Sequence, residues 1–228
     1  PDIDPSLDML DAAWNPSPVS PGRPPDRGEP SPDSGDPDKG SSGGTPRIVD
    51  AAADAPPAEP SLLITEVMFD PSGVEPAGEW FEVHNSGKAT QSLSGLTIVD
   101  GAARTHVIGP GVSVAPGAYG VLARSRAGAI AAQVPAGAIV YEYGAGLSDG
   151  SGVLLANSGG GGVSLRKDAT IVAQALYGGW FASAPGSSVQ LRTLSPSAAA
   201  ASTGWCVSTS VWAAGADKGT PGAPADCL

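Results

Sequence analysis

LLITEVMFDPSGVEPAGEWFEVHN, Leu62 to Asn85, reads as two strands joined by a turn-rich loop, and the fold follows from it. Leu62 to Met68 is a run of apolar and β-branched residues with one Thr and one Glu. Pro60 precedes it, and Asp70-Pro71 ends it, which is strand composition with turn punctuation. Side chains alternate faces along a strand, so the run places Leu62, Ile64, Glu66 and Met68 on one face. From Glu79 the alternation resumes, with Glu79, Phe81, Val83 and Asn85 on one side and Trp80, Glu82 and His84 on the other. Glu66 and Glu82 therefore sit on half-apolar faces. A carboxylate there needs partners, because an unpaired buried charge is costly. Backbone N–H groups and neighbouring hydroxyls are the expected ones.

Downstream, short strands alternate with turn signals. Leu96 to Val99 is stopped by Asp100-Gly101, Arg104 to Ile108 by Gly109-Pro110-Gly111, and Pro116-Gly117 turns the chain into Tyr119 to Ala123. Ile139 to Tyr143, Val153 to Ala156, Val163 to Arg166, Thr170 to Tyr177 and Ser188 to Thr193 follow, the last as the final strand. The Gly-rich run Asn157 to Gly162 reads as a hairpin turn between two of them. Arg124 to Gln133 can form a turn of helix, and Ser195 to Ser202 an Ala-rich loop or single turn. Regular short strands without a long amphipathic helix predict an all-β sandwich or barrel.

The order of these segments resembles the bacterial lamin-tail domains of exported proteins. The resemblance rests on Ile64 to Val67 (Ile-x-Glu-Val), Glu79 to Asn85 (Glu-Trp-x-Glu ending in Asn), Leu93 to Leu96, and Pro116 to Ala123, and it extends to Asp217 to Cys227. Leu96 stands where the family pattern has Trp, which keeps an apolar plug. The resemblance spans about residues 61–227 and implies an immunoglobulin-like β-sandwich, with Glu66, Glu79, Trp80, Glu82 and Asn85 as structural motif residues. It implies no enzyme, and a fold alone does not fix a function.

Composition divides the chain at about residue 60. Residues 1–60 hold 14 of the 23 prolines and carry 12 acidic against 4 basic side chains. The remainder has 11 and 8, so most of the formal charge of −11 belongs to the first segment. Few large apolar residues among many Pro, Gly, Ser and Asp cannot offset chain entropy, so residues 1–60 read as a disordered stalk or linker. Only its start, with Leu7, Leu10 and Trp14, has transient helical potential. Residues 61–228 form the folded domain. The acidic balance and the scattered Lys and Arg argue against nucleic acid, whose binding rests on neutralised phosphates. No run of about 20 apolar residues is present to span a bilayer as a helix. A flexible stalk before a small β-domain is the arrangement of an exported protein, periplasmic or on the outer surface, its signal removed. Such an arrangement leaves room for a lipid anchor in the precursor.

The two cysteines, Cys206 and Cys227, would close a loop of about 21 residues, worth roughly 3 kcal/mol if oxidised. A cytosolic protein would keep both as free thiols, and two Cys without a nearby His are half a zinc site. Trp-Cys and Pro-Gly…Cys segments of the lamin-tail family are similar, and that resemblance favours the disulfide.

Spellings of catalytic motifs fail on context. Gly146-Leu147-Ser148-Asp149-Gly150 fits a nucleophile elbow, but no helix follows and no His lies beyond His106. Ser164-x-x-Lys167 falls in a strand, where residues three apart point to opposite faces. His84 and His106 read as structural histidines. The Gly159 to Gly162 run lacks the Lys-Ser/Thr and helix of a phosphate cradle. Asp70, Glu75 and Glu79 in the loop before the second strand are the candidate Ca²⁺ ligands, although no EF-hand spacing is present. Trp180, Phe181 and Trp212, in Gly/Ala-rich loops, are the candidate ligand contacts or else loop anchors. The reading that follows is an exported, non-catalytic binding or structural module at the cell surface, without a cofactor, whose partner is a protein or a surface polymer. A Ca²⁺-dependent adhesion module using Asp70 to Glu82 is the alternative, and a hydrolase the third reading.

Overall fold

The computed structural model describes residues 61–181 and 185–227; the expected stalk, residues 1–60, with its helix-prone start, lies outside them. Twelve strands form among the described residues: β1 Leu62–Met68, β2 Trp80–Asn85, β3 Gln91–Ser92, β4 Thr97–Asp100, β5 Thr105–Val107, β6 Ser113–Val114, β7 Tyr119–Ala123, β8 Ile139–Glu142, β9 Gly162–Lys167, β10 Thr170–Leu176, β11 Val189–Leu191 and β12 Trp205–Val207. A six-stranded sheet runs β12-β11-β1-β2-β7-β8, and a four-stranded sheet runs β10-β9-β4-β5. β3 and β6 pair as a small separate ribbon. All pairings are antiparallel except β7 with β8, which are joined through the short helix Arg126–Ala131. Ser125 caps that helix, its hydroxyl accepting from the Gly128 N–H.

The two larger sheets face each other across one apolar core, so that of the sandwich or barrel expected from the strand pattern the chain forms the sandwich, immunoglobulin-like as the family resemblance implies. Ile64, Val67, Phe81, Val83, Leu122, Val189 and Leu191 contribute from the six-stranded sheet, and Ile98, Val163, Leu165, Ala173 and Ala175 from the other. Phe69 stacks on Tyr177 at 4.5 Å within it. The opposite face of the six-stranded sheet is covered as well. Met68, Trp80, Val121, Ala123 and Ile139 pack there with Ala129 and Val134, and Trp212 lies against them. Double coverage explains why every residue of β1 and β2 is buried rather than every second one.

Three details depart from the sequence expectation. First, Glu66 does not share a face with Leu62 and Ile64. The β1–β2 register shifts between Ile64 and Glu66, so that Ile64 pairs with Val83 and Glu66 with Glu82. Thr65 is thus the extra residue of a bulge, which moves every later side chain to the other face. Val67 joins the sandwich core, while Glu66 and Met68 face outward beside Glu82 and Trp80.

Second, Val153 to Ala156 is not a strand, and Asn157 to Gly162 is not a hairpin turn. The β9 hairpin partner is β10, closed at Lys167 and Thr170 by Asp168 in the left-handed region (φ 53°). The N–H groups of Leu154 and Leu155 are bound instead by buried carboxylates, those of Asp100 and Glu79.

Third, Ser188 to Thr193 is not the last strand, because β12 follows and pairs with it, Gln190 opposite Cys206. The expected turns of helix are present at Arg126–Ala131 and Pro196–Ala199.

Candidate functional site

The bulge at Thr65 brings Glu66 and Glu82 side by side on the outward face, each about 1 % exposed. Glu66 Oε1 accepts from Ser188 Oγ at 2.5 Å, from Gln190 Nε2 at 3.1 Å and from the Thr220 N–H at 2.9 Å. Its Oε2 accepts from Thr220 Oγ1 at 3.1 Å. Glu82 accepts from Thr65 Oγ1 at 2.8 Å and from the Gly222 N–H at 2.6 Å. Apart from the Gln190 side-chain amide, these are the backbone amides and hydroxyls expected for them. The donors at Thr220 and Gly222 belong to the segment Asp217 to Cys227, which has no ladder partner of its own for those N–H groups. The disulfide Cys206–Cys227, with a Cα–Cα distance of 6.2 Å, ties the end of that segment to β12.

Burial sets the protonation of the pair. It pushes Glu66 up to about 7 from an ordinary 4.5, against the lowering effect of its hydrogen bonds. Glu82 is raised well above 4.5 by burial first and by the neighbouring Glu66 second. Two carboxylates this close do not both ionise readily, so the pair holds a proton near neutral pH.

A second set of acids lies at the opposite side of the sheet. Glu79 is buried, accepts the Leu155 N–H at 2.9 Å, and is pushed up to about 8, by burial and, after its hydrogen bond, by the nearby Glu75. Asp100 accepts from the N–H groups of Ala102, Arg104 and Leu154 and from Arg104 Nε at 2.6 Å. Arg124, itself buried, donates to the carbonyls of Ser148, Ser151 and Val153. Together these three side chains fix the irregular stretch 148–155. The Tyr143 and Tyr177 hydroxyls are buried in the same region, and neither has a hydrogen-bond partner among the described residues. Burial, with Glu79 next, holds both well above 10.

A family model described as Lamin Tail Domain matches residues 55–179, more than half of the chain. The chain belongs to the lamin tail domain family. The match takes in β1 to β10 and ends before β11, β12 and the segment to Cys227. Comparison with curated proteins finds none that matches. The family is a non-enzymatic immunoglobulin-like module, and Glu66, Glu79, Trp80, Glu82 and Asn85 are all buried in this member of it. Asn85 is buried and donates to the carbonyls of Ala89 and Val114, while its Oδ1 accepts the Gly87 N–H.

Within this lamin tail domain, Asp70 and Glu75 converge on Asn157 Nδ2, at 3.4 and 2.7 Å. Glu79 turns inward to Leu155, and no group of three His, Cys, Asp or Glu among the described residues is arranged to hold a metal ion. Trp180 and Phe181 are half-buried against the sandwich core, whereas Trp212 lies on the other cluster, edge-on to Trp80 at 5.9 Å. The three aromatics therefore do not pack against one cluster. His84 packs against Tyr119 with the rings tilted by 39°, and His106 Nε2 contacts Tyr141 Oη at 2.8 Å; burial lowers both below 6.5. Gly146 to Gly150 is loop throughout, without the strand and helix of a nucleophile elbow. No helix among the described residues is long and apolar enough to cross a membrane.

Sequence reasoning found Glu66 and Glu82 but missed Ser188, Gln190, Thr220, Asp100 and Arg124. The usable signal was the unmatched acid itself. An acid inside an apolar strand demands donors, and Thr-Pro-Gly at 220–222, whose proline ring has no N–H, leaves two N–H groups free to supply them.

Proposed function

We propose that this lamin tail domain is a non-catalytic binding or structural module at the surface of a bacterial cell, held off that surface by its acidic N-terminal segment. The observation that carries the reading is how the buried acids are used. Glu66, Glu82, Glu79 and Asp100 each hold backbone of an irregular segment, so the polar side chains that a catalyst would turn toward substrate are committed to the fold. The Cys206–Cys227 disulfide supports an oxidising, extracytoplasmic setting. The half-buried Trp180 and Phe181 beside β10 are the contact proposed for a protein or surface polymer, as aromatic anchors commonly supply binding energy.

The test is retention of cell-envelope material by the immobilised full chain, read by mass spectrometry. A retained partner or polymer that is lost with Trp180→Ala and Phe181→Ala, at unchanged melting temperature, supports the reading. Turnover of ester, glycoside or phosphodiester substrates by the purified chain overturns it. A cation-dependent form of the same reading rests on Asp70 and Glu75 meeting at Asn157. It requires the melting temperature to rise with Ca²⁺ and fall with chelator, following RT ln(1 + [L]/Kd).

A further inference from the structure

We propose that Thr220 and Gln190 are the partners of an intramolecular ester cross-link, formed by attack of the Thr220 hydroxyl on the Gln190 side-chain amide with Glu66 as the proton carrier. Gln190 is fully buried at the centre of β11, and its Nε2 lies 2.8 Å from Thr220 Oγ1 across a sequence separation of 30. The amide carbon is one C–N bond, about 1.33 Å, from that nitrogen. Reacting atoms need an approach of about 3–3.5 Å from above the amide plane, so attack requires the amide to turn about its Cγ–Cδ bond and release the hydrogen bond it donates to Thr220 Oγ1.

The groups a transacylation needs are gathered around the Gln190 amide. Three donors occupy Glu66 Oε1, namely Ser188 Oγ, Gln190 Nε2 and the Thr220 N–H, which orients Oε2 toward the Thr220 hydroxyl at 3.1 Å. The amide stands with its NH₂ between Glu66 and Thr220, two acceptors, and its Oε1 toward the Asp226 N–H at 3.1 Å. That N–H is positioned to stabilise an oxyanion on Oε1. Gly219 lets the segment approach this closely, since a Cβ there would stand 2.5 Å from Glu66 Oε1.

The step balances without a further reagent. Thr220 Oγ1 loses its proton to Glu66 Oε2 and bonds to the Gln190 amide carbon. The negative charge of the tetrahedral adduct rests on Oε1 against the Asp226 N–H. Collapse breaks the C–N bond, Glu66 returns the proton to the departing nitrogen, and ammonia leaves. The product is an ester joining the two side chains, with no change in oxidation state. Burial of Glu66 and Gln190 keeps water from competing as nucleophile and brings Glu66 to the near-neutral proton affinity that acid–base exchange favours. The bond would lock the Thr220 segment onto β11 beside the disulfide, a second covalent brace on the chain end, and one insensitive to reductant.

Intact mass spectrometry of the full chain, disulfide reduced, decides it. The expected mass is that of the sequence less one ammonia. Tryptic digestion is expected to give one joined species containing Gln190 and Thr220, although cleavage after Arg192 and Lys218 would separate them. Hydroxylamine should split it. Thr220→Ser should still cross-link, and Thr220→Val should restore the sequence mass while the chain remains cooperatively folded. A folded, disulfide-bonded wild-type chain at the full sequence mass overturns the proposal, and so does an ammonia loss that persists in Thr220→Val.

Discussion

Glu79 contributes to a fall in the stability of this domain as pH rises, and replacing it with Gln should remove that contribution while those of Glu66 and Glu82 remain. Its carboxyl is pushed up to about 8 in the fold, from an ordinary 4.5. Around it stand Glu75 and Asp100 on the acidic side, Arg124 and Arg104 on the basic side, and the Tyr143 and Tyr177 hydroxyls. Between those two pH values the folded chain keeps a proton that the unfolded chain has released. The stability contributed by this group is therefore complete below about pH 4.5 and lost as pH rises through about 8. Within the window the loss is about 1.4 kcal/mol per pH unit, hence at most about 3 kcal/mol from pH 5.5 to 7.5. For a domain of this size that is roughly 6–12 °C in Tm. His84 and His106, held below 6.5, act in the opposite direction near pH 6. Subtracting the Glu79→Gln variant cancels them, and cancels the raised Glu66 and Glu82 as well, because Gln keeps an acceptor for the Leu155 N–H and does not titrate. The assay is urea denaturation of both proteins, disulfide intact, at half-unit pH steps. The wild-type free energy minus that of the variant should decline steadily over the window. A difference that is flat with pH, or one that grows, would refute the reasoning that Glu79 is buried as a neutral acid.

The remaining predictions concern the braces and the second cluster. Reducing Cys206–Cys227, or replacing both by Ser, should cost about 3 kcal/mol from the 21-residue separation, seen as a lower denaturation midpoint. Trp80→Ala empties the centre of the outward cluster beneath Trp212 and should cost about 3–5 kcal/mol, measured by thermal unfolding. Gly219→Ala sets a methyl against Glu66 Oε1, Trp212 and Ser188 Oγ. A loss of about 1–3 kcal/mol is expected, together with faster hydrogen exchange at the Thr220 amide.

How much of this was legible depended on whether the partner of a residue lay in the same strand pattern. The ladder of β1, β2 and β7 was readable because Leu62–Met68, Trp80–Asn85 and Tyr119–Ala123 each carry their own periodicity and turn signals. The bulge at Thr65 was not, since Ile-Thr-Glu-Val alternates as well with one extra residue as without it, and only the neighbouring strand reveals the shift. Val153 to Ala156 has strand composition, but composition does not show that Asp100 and Glu79, far away in sequence, take its N–H groups. The same holds for the Glu66 site. The acid was conspicuous and its donors were not, because Ser188 and Thr220 are 122 and 154 residues distant and sit among ordinary polar residues.

The buried acids share one physical logic. A sandwich of short strands leaves long connections whose backbone N–H groups need acceptors once they are packed against the sheet. Stretches 148–155 and 217–227 are such connections. An apolar residue at position 66, 79, 82 or 100 would bury more hydrocarbon yet leave the N–H groups of Thr220, Leu155, Gly222 and Leu154 unpaired, at roughly 1–3 kcal/mol each. A carboxyl group meets that need better than a single hydroxyl. It offers two oxygens, and Glu66 uses them for four donors at once. Burial charges a penalty for the ionised form, and Glu66, Glu79 and Glu82 answer it by holding protons to higher pH. Asp100 is paired with Arg104 at 2.6 Å. The Glu-x-x-Glu spacing of Glu79 and Glu82 follows directly. Three residues apart on a strand means opposite faces, so one short motif hooks a connection on each side of the same sheet.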